Sequence, residues 1–204
     1  MPSNAYLRGL YTLYAPVYDL AFERLMAPAR RRAIARLGLA DGDRVLIVGG
    51  GTGQDLPHLP GGVRVTFGDV TPLMLTIARR RAARLGREVA FVELDATDLP
   101  FEDESFDAVL LHLIVAVVED PVAVVGEAAR VVRRGGRVSV FDKFAPDDGP
   151  LPPLLVRLNR LTKWIATYVT RRIGPLLAGA GLERVEESGY GPGGLFRIVT
   201  ARRS

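Results

Sequence analysis

The sequence predicts an α/β fold, a doubly wound and mostly parallel sheet of seven strands, and three observations carry that expectation. Short β-branched apolar runs alternate with helical segments along a chain of 204 residues, the pattern of strands joined by helical crossovers. The first run, Arg44–Val48, breaks off at Gly49-Gly50-Gly51-Thr52-Gly53, a backbone suited to a sharp turn and to close approach of a ligand. After Pro146 the chain changes character, to an acidic proline-rich connection, an amphipathic helix and two closing strands.

Taken in order, residues 5–40 read as helical, with Pro28 placed where a first turn tolerates it and Leu37-Gly38 as the stop. Arg44–Val48 is the first strand and Val63–Phe67 the second. A helix over Pro72–Leu85 carries Met74, Leu75, Ile77 and Ala78 inward and Arg79, Arg80, Arg81 and Arg84 outward, and Gly86 stops it. Val89–Leu94 and Phe106–Leu113 are the third and fourth strands. Asp120 caps the next helix with Pro121 in its first turn, Gly135-Gly136 ends it, and Arg137–Phe141 is the fifth strand. Leu154–Ile173 reads as an amphipathic helix, Pro175–Gly179 as a short one, and 182–187 with 195–201 as an antiparallel pair. One domain over 1–204 is expected. It divides into an N-terminal helical lid (1–40), a ligand-binding core (41–145), cap helices (146–181) and closing strands (182–204).

Composition narrows the function. Hydrophobic residues make up 48% and charged residues 25%, as in ordinary globular proteins. No apolar run approaches the ~18 residues of a spanning helix, and Met-Pro-Ser-Asn lacks a signal pattern, so a cytoplasmic location is expected. There are no cysteines, which excludes disulfides, zinc–thiolate sites and a cysteine nucleophile. The net charge of +4 and pI of about 9.7 come almost wholly from arginine, with Lys143 and Lys163 the only lysines. Either the chain has an arginine-rich habit, or its surface meets phosphates on lipid or nucleic acid.

The glycine loop differs from the nicotinamide fingerprint Gly-x-Gly-x-x-Gly. Counted from Gly49 or Gly51, the third glycine falls on Gln54 or Leu56. Asp69 lies twenty positions after Gly49, at the end of the second strand, where a carboxylate accepts from both hydroxyls of an adenosine ribose and repels a 2′-phosphate. Asp69 also precedes Pro72, as a helix cap would, but Thr71 is better placed for that role.

These residues resemble the type 11 family of class I, S-adenosylmethionine-dependent methyltransferases, with its Rossmann-like fold. The resemblance covers roughly Tyr11–Asp142. It runs through the glycine loop, Gly68-Asp69-Val70-Thr71-Pro72-Leu73-Met74-Leu75, Asp95-Ala96-Thr97-Asp98-Leu99-Pro100-Phe101, Ser105-Phe106-Asp107-Ala108-Val109 and Val131-Val132-Arg133-Arg134-Gly135-Gly136-Arg137. It implies S-adenosyl-L-methionine as cofactor and S-adenosyl-L-homocysteine as product. It further implies a cofactor site at Gly49, Gly51, Gly53, Asp69, Val70, Met74, Asp95, Ala96 and Leu111, with Asp95 and Ala96 beside the adenine. One position departs: the family usually carries an acid where Ile47 stands, an acid that helps hold the methionine amine.

On the acceptor side, the sequence lacks the Asn/Asp-Pro-Pro-Tyr/Phe signature of amino-nucleobase enzymes, showing His112-Leu113-Ile114-Val115 instead. Its aromatics are not interleaved with its arginine clusters, so no nucleic-acid partner is expected. Tyr11-Thr12-Leu13-Tyr14-Ala15-Pro16-Val17-Tyr18-Asp19 resembles the opening of bacterial phosphatidylethanolamine N-methyltransferases and of quinone C-methyltransferases. Tyr11 and Tyr18 then serve either as lid hydroxyls over the reacting groups or as packing. His112, at the carboxyl end of the fourth strand, is a candidate proton acceptor or a half-buried structural histidine, and Asp142 is a lesser candidate. Arg30-Arg31-Arg32 and the tail helix, with Trp164, Arg157, Arg160, Lys163, Arg171 and Arg172, suit reversible contact with an anionic membrane, or else a cap with solvated charges. No metal site is expected.

Three functions follow from this reading. The first is methyl transfer to a lipid-associated acceptor, with the head-group amine of phosphatidylethanolamine as first choice and the inner face of the membrane as the place of contact. The second is transfer to carbon or oxygen of a quinone or other small molecule. The third is a binding protein that keeps the cofactor fold without turnover.

Overall fold

A computed structural model describes residues 25–148, 150, 168 and 170–204. The lid residues Tyr11 and Tyr18 and the expected helix from Leu154 to residue 167 lie outside the described residues.

Seven strands form one sheet: β1 Arg44–Val48, β2 Arg64–Asp69, β3 Val89–Glu93, β4 Phe106–His112, β5 Val132–Lys143, β6 Leu182–Tyr190 and β7 Phe196–Arg203. Their order is β3-β2-β1-β4-β5-β7-β6. The β1–β2, β2–β3, β1–β4 and β4–β5 pairs are parallel, and β7 runs antiparallel to both of its neighbours. From β1 the chain winds outward to β2 and β3, then returns to build β4 on the other side. The sheet therefore has its switch point at the carboxyl ends of β1 and β4, where open α/β sheets bind ligands.

The described helices are α1 (25–35), α2 Pro72–Arg84, α3 Pro121–Val131 and α4 Ile173–Gly179. Strand alternation divides the core between the two faces of the sheet. Val45, Ile47, Phe67 and Leu110 meet Ile34 and Leu37 beside α2's Leu75, Ala78 and Ala82. On the other face Leu46, Val48, Val109, Leu111, Val138 and Val140 meet α3's Val124, Val125 and Ala128 and α4's Ile173 and Leu177. A smaller cluster, Met26, Ala29 and Ala33 with Phe141 and Ile198, seats the start of α1 on β5 and β7. Arg137 Nη1 donates to the Leu37 carbonyl at 2.8 Å and so fastens the chain just beyond α1.

Asp120 caps α3 as expected, its carboxylate accepting from the Ala123 N–H at 2.9 Å. Several boundaries differ from the sequence reading, and four of the differences matter here. α1 extends back to at least Leu25, so Pro28 does not begin it. β2 runs Arg64–Asp69, past Phe67 where its apolar run was expected to stop, and ends on the Asp69 expected at the strand's end. Tyr168 and residues 170–172 are not helical, so the amphipathic tail helix does not extend to Ile173 as expected. Gly135-Gly136 does not end α3: the helix stops at Val131, and β5 begins at once with Val132 in an extended conformation.

The two glycines instead sit in a bulge of β5, where pairing jumps from Phe106↔Val132 to Ala108↔Arg137. Asp107 staples this bulge, accepting from Arg133 Nε at 2.6 Å and from the Arg44 N–H at 2.8 Å. A Cβ on Gly136 would stand 2.8 Å from the carbonyl oxygens of Arg133 and Asp107. Backbone atoms cannot swing aside, so Gly136→Ala is expected to cost about 2 kcal/mol, in the range of overpacking substitutions. Urea unfolding should report the loss as a lower midpoint with an unchanged slope.

Candidate cofactor and acceptor site

The site is built at the switch point by the turn after β1. Gly51 has φ +57, and a Cβ added there would meet nothing within 4 Å. The protein leaves the space over this residue open, whereas it packs Phe67 and Ile114 against Gly50 and Gly49. The following segment forms one short 3-10 turn, Leu56–His58, in place of a long helix pointing at a pyrophosphate, as the proline-rich sequence implies.

Asp69 ties the loop to β2. Its Oδ2 accepts from the Gly51 N–H at 2.9 Å and its Oδ1 from the Thr71 N–H at 2.9 Å. Burial raises its pKa against the pull of these bonds. Thr71 is the N-cap residue of α2, yet its side chain makes no capping bond, and Asp69 bonds to Thr71 itself rather than to the first turn of the helix. A carboxylate has about four acceptor positions; the Thr71 side chain takes a third, and what remains is the place where a ribose hydroxyl would donate. Val70 is half-buried, Met74 buried and Leu73 exposed beside this edge.

Next along the edge, Asp95 is exposed and Ala96 buried. Asp95 Oδ1 accepts from both the N–H and the hydroxyl of Thr97, at 2.9 and 2.7 Å. This loop is pinned from below in a way the sequence reading missed. Glu127 accepts from the Leu99 N–H at 2.7 Å, and Arg130 donates to the Leu99 and Phe101 carbonyls at 3.0 and 2.8 Å. The only sequence signal was the spacing of Glu127 and Arg130 on one helix face.

His112 does not offer a ring nitrogen to an acceptor. Its side chain is 1% exposed, with Nδ1 2.8 Å from Asp55 Oδ1 and Nε2 2.9 Å from Ser139 Oγ. Asp55 in turn binds Arg30 Nη1 through Oδ2 at 2.7 Å. Burial alone would raise the Asp55 pKa, but the Arg30 charge and His112 outweigh it and hold the carboxyl far below the usual range. Arg30 is thus buried and is withdrawn from the basic surface expected at 30–32, while Arg31 and Arg32 are exposed. Leu111 is fully buried, its side chain directed into the core against α3, so it has only backbone to offer a ligand. Ile47 is likewise apolar core.

Beyond β4 and β5 lies the other end of the candidate site. Leu113 adopts φ +61, and the turn that follows is clamped. Asp142 Oδ2 accepts from the Ala116 N–H at 2.7 Å, the Tyr168 N–H donates to the Ala116 carbonyl at 2.8 Å, and Arg171 donates to the Val115 and Val118 carbonyls. The Arg171 guanidinium also stacks 4.4 Å from the Tyr168 ring centroid. Arg171 therefore faces this turn rather than a membrane. Asp142 is buried, which raises its pKa, and both its oxygens accept from backbone N–H groups, so it offers no free base. Burial pushes the neighbouring Lys143 down despite the Asp142 charge. Among the described residues no cluster could hold a metal ion.

Comparisons decide the family. A methyltransferase-domain model matches residues 46–140. The chain is 38% identical over 192 residues to the phosphatidylethanolamine N-methyltransferase of Cereibacter sphaeroides, covering 92% of this chain and 93% of that protein. It belongs to the type 11 family of class I methyltransferases. The enzyme is also 37% identical over 131 residues to the demethylmenaquinone methyltransferase of Clavibacter sepedonicus, covering 64% of this chain and about half (51%) of that protein. The fold matches the geranyl diphosphate C-methyltransferase of Streptomyces coelicolor A3(2), solved with S-adenosyl-L-homocysteine, at a TM-score of 0.73 and 17% identity, covering 89% and 77% of the two chains. The cofactor of this methyltransferase is S-adenosyl-L-methionine, and the open space at Gly51 beside a buried ribose-type carboxylate fits it.

Two outcomes are expected at this site. Asp69→Ala removes two hydrogen bonds to a charged acceptor, each worth about 1.5–3 kcal/mol, and calorimetry should show S-adenosylhomocysteine binding weakened at least tenfold. The second concerns acid. Because Asp55 has its pKa lowered on folding, its contribution to stability is complete above the ordinary aspartate value of 3.8 and is lost as pH falls below it. Acid titration of unfolding should therefore be less steep below that value in Asp55→Asn, with the variant already less stable at neutral pH.

Proposed function

We propose that this methyltransferase acts on the head-group amine of phosphatidylethanolamine. The observation that carries this reading is the full-length similarity to an enzyme of that name, which extends beyond the cofactor core into the elements at both ends of the chain. Asp142 and Arg171 are spent on backbone, so neither offers a charge to the acceptor, and Lys143, with its lowered pKa, lies over the Phe196 ring at the end of β5.

The mechanism asks little covalent chemistry of the protein. The bound sulfonium supplies an electrophilic methyl group. Asp69 would accept from the ribose hydroxyls and Asp95 from the adenine amine, and Ala96, Val70 and Met74 would enclose the base and ribose. The loop Gly49–Gly53 lets the backbone approach. The clamped turn at 114–118 keeps the wall of the acceptor space rigid, so that a neutral amine is held in line with the bond to be broken and water is excluded. Tyr11 and Tyr18 are assigned as lid hydroxyls over this space. Reversible contact with an anionic membrane rests on Arg31, Arg32 and the tail segment. No helix among the described residues is long and apolar enough to cross a membrane. A quinone or other small-molecule acceptor is the second reading, supported by the similarity to the demethylmenaquinone enzyme.

Labelled cofactor with vesicles of phosphatidylethanolamine and phosphatidylglycerol tests the choice. Label is expected in mono- and further methylated phosphatidylethanolamine, and not in a demethylated quinone carried in the same vesicles. Label in the quinone alone would transfer the assignment to the second reading.

A further inference from the structure

Arg30 is the only lysine or arginine among the described residues that is buried. A guanidinium carries five N–H donors. Nη1 is spent on Asp55, while Nε, also buried, has no acceptor among the described residues. A buried donor without an acceptor is costly, and native structures rarely leave one unless a ligand or water completes it.

Its position says which ligand group completes it. Asp55, which holds Arg30, stands two residues past Gly53 at the exit of the glycine loop. The ribose-type carboxylate of Asp69 lies on the β2 side of that loop, and the clamped acceptor turn follows β4. A ligand whose ribose is on β2 and whose reactive centre faces β4 must run its remaining end across the β1–β4 boundary. Ile47 pairs with Leu110 there, and Asp55 meets His112 just beyond. That end of S-adenosylmethionine is an amino acid, and its anionic group needs a cation with a planar fork.

We propose that Arg30 receives the carboxylate of the cofactor's methionine end, and that Ser139, His112 and Asp55 form the positioning chain that aims it. The inference rests on the cofactor assigned above. Asp55 can only accept, so His112 Nδ1–H donates to Oδ1, and Nε2 meets the Ser139 hydroxyl on the other side of the ring. Both Asp55 oxygens are committed, one to His112 and one to Arg30, so Asp55 orients the guanidinium and does not itself take the ligand. Arg30 comes from α1, so the element ahead of the glycine loop supplies part of the cofactor site.

The test compares two ligands on the full chain by calorimetry. S-adenosylhomocysteine carries the amino-acid end, and 5′-methylthioadenosine has the same nucleoside and sulfur without it. Arg30→Met alone would strand the Asp55 charge, so Arg30→Lys and the double variant Arg30→Met/Asp55→Leu are used. In both, S-adenosylhomocysteine is expected to bind about tenfold or more weakly while methylthioadenosine stays within about twofold of wild type. Ser139→Ala is expected to shift the same ratio by a smaller factor, which a purely structural role would not do. Arg30→Lys and Ser139→Ala supply the ratio if the double variant fails to fold. Equal weakening of both ligands, or no change in either, would overturn the proposal, because Arg30 would then serve only to hold the loop.

Discussion

The carboxylate of Asp55 is where separate parts of this chain are brought into one register. One oxygen takes a guanidinium from α1 and the other an imidazole from the end of β4, and that imidazole reaches the Ser139 hydroxyl on β5. Each group is buried, so each is costly alone and tolerable only together. Such a cluster adds little to stability compared with apolar residues of the same volume, but it leaves few alternative arrangements. The glycine loop ends one residue before Gln54-Asp55, so its exit is fixed by charge where its entry is fixed by the β1 ladder. Ile47, where the family usually carries an acid, is apolar core beneath this loop.

The acceptor side is organised differently, by backbone. The turn at 114–118 uses its peptide groups as the points of attachment. Asp142 takes the Ala116 N–H from β5, and Tyr168 and Arg171 cover the carbonyls from the tail. Arginine fits this task because one planar head can serve two carbonyls and stack on an aromatic ring at once. Two of the arginines that gave the sequence its basic cast are therefore internal fasteners, and formal charge overstates what this protein offers to an anionic surface.

Most of the fold was legible because its signals are local. β-branched runs, glycine stops and the Asp120-Pro121 cap depend on a few neighbouring residues, and the glycine loop with Asp69 depends on a short spacing. What escaped was long-range. Nothing in Arg30-Arg31-Arg32 distinguishes the first arginine from the next two until Asp55, 25 positions away, is folded against it. His112 was noticed for its place at a strand end, but its role is set by Asp55 and Ser139, which come from other elements. The glycine pair at 135–136 reads as a helix stop in any local window. It becomes a bulge because Asp107 holds Arg44 and Arg133 across three strands.

The order of the sheet bears on how the chain can assemble. β7 is the last strand along the sequence, yet it lies between β5 and β6. Until Phe196–Arg203 has been synthesised, β5 has an open edge and β6 has no strand to join, whatever the rest of the sheet has done. The ladder that joins β6 to the sheet is therefore made late, whatever α4 and Asp147 already hold. The core strands can pair while the chain is still emerging, but the far side of the sheet must wait until Phe196–Arg203 is available. Through that interval β5, with its apolar Val138, Val140 and Phe141, is an uncovered template for strand pairing.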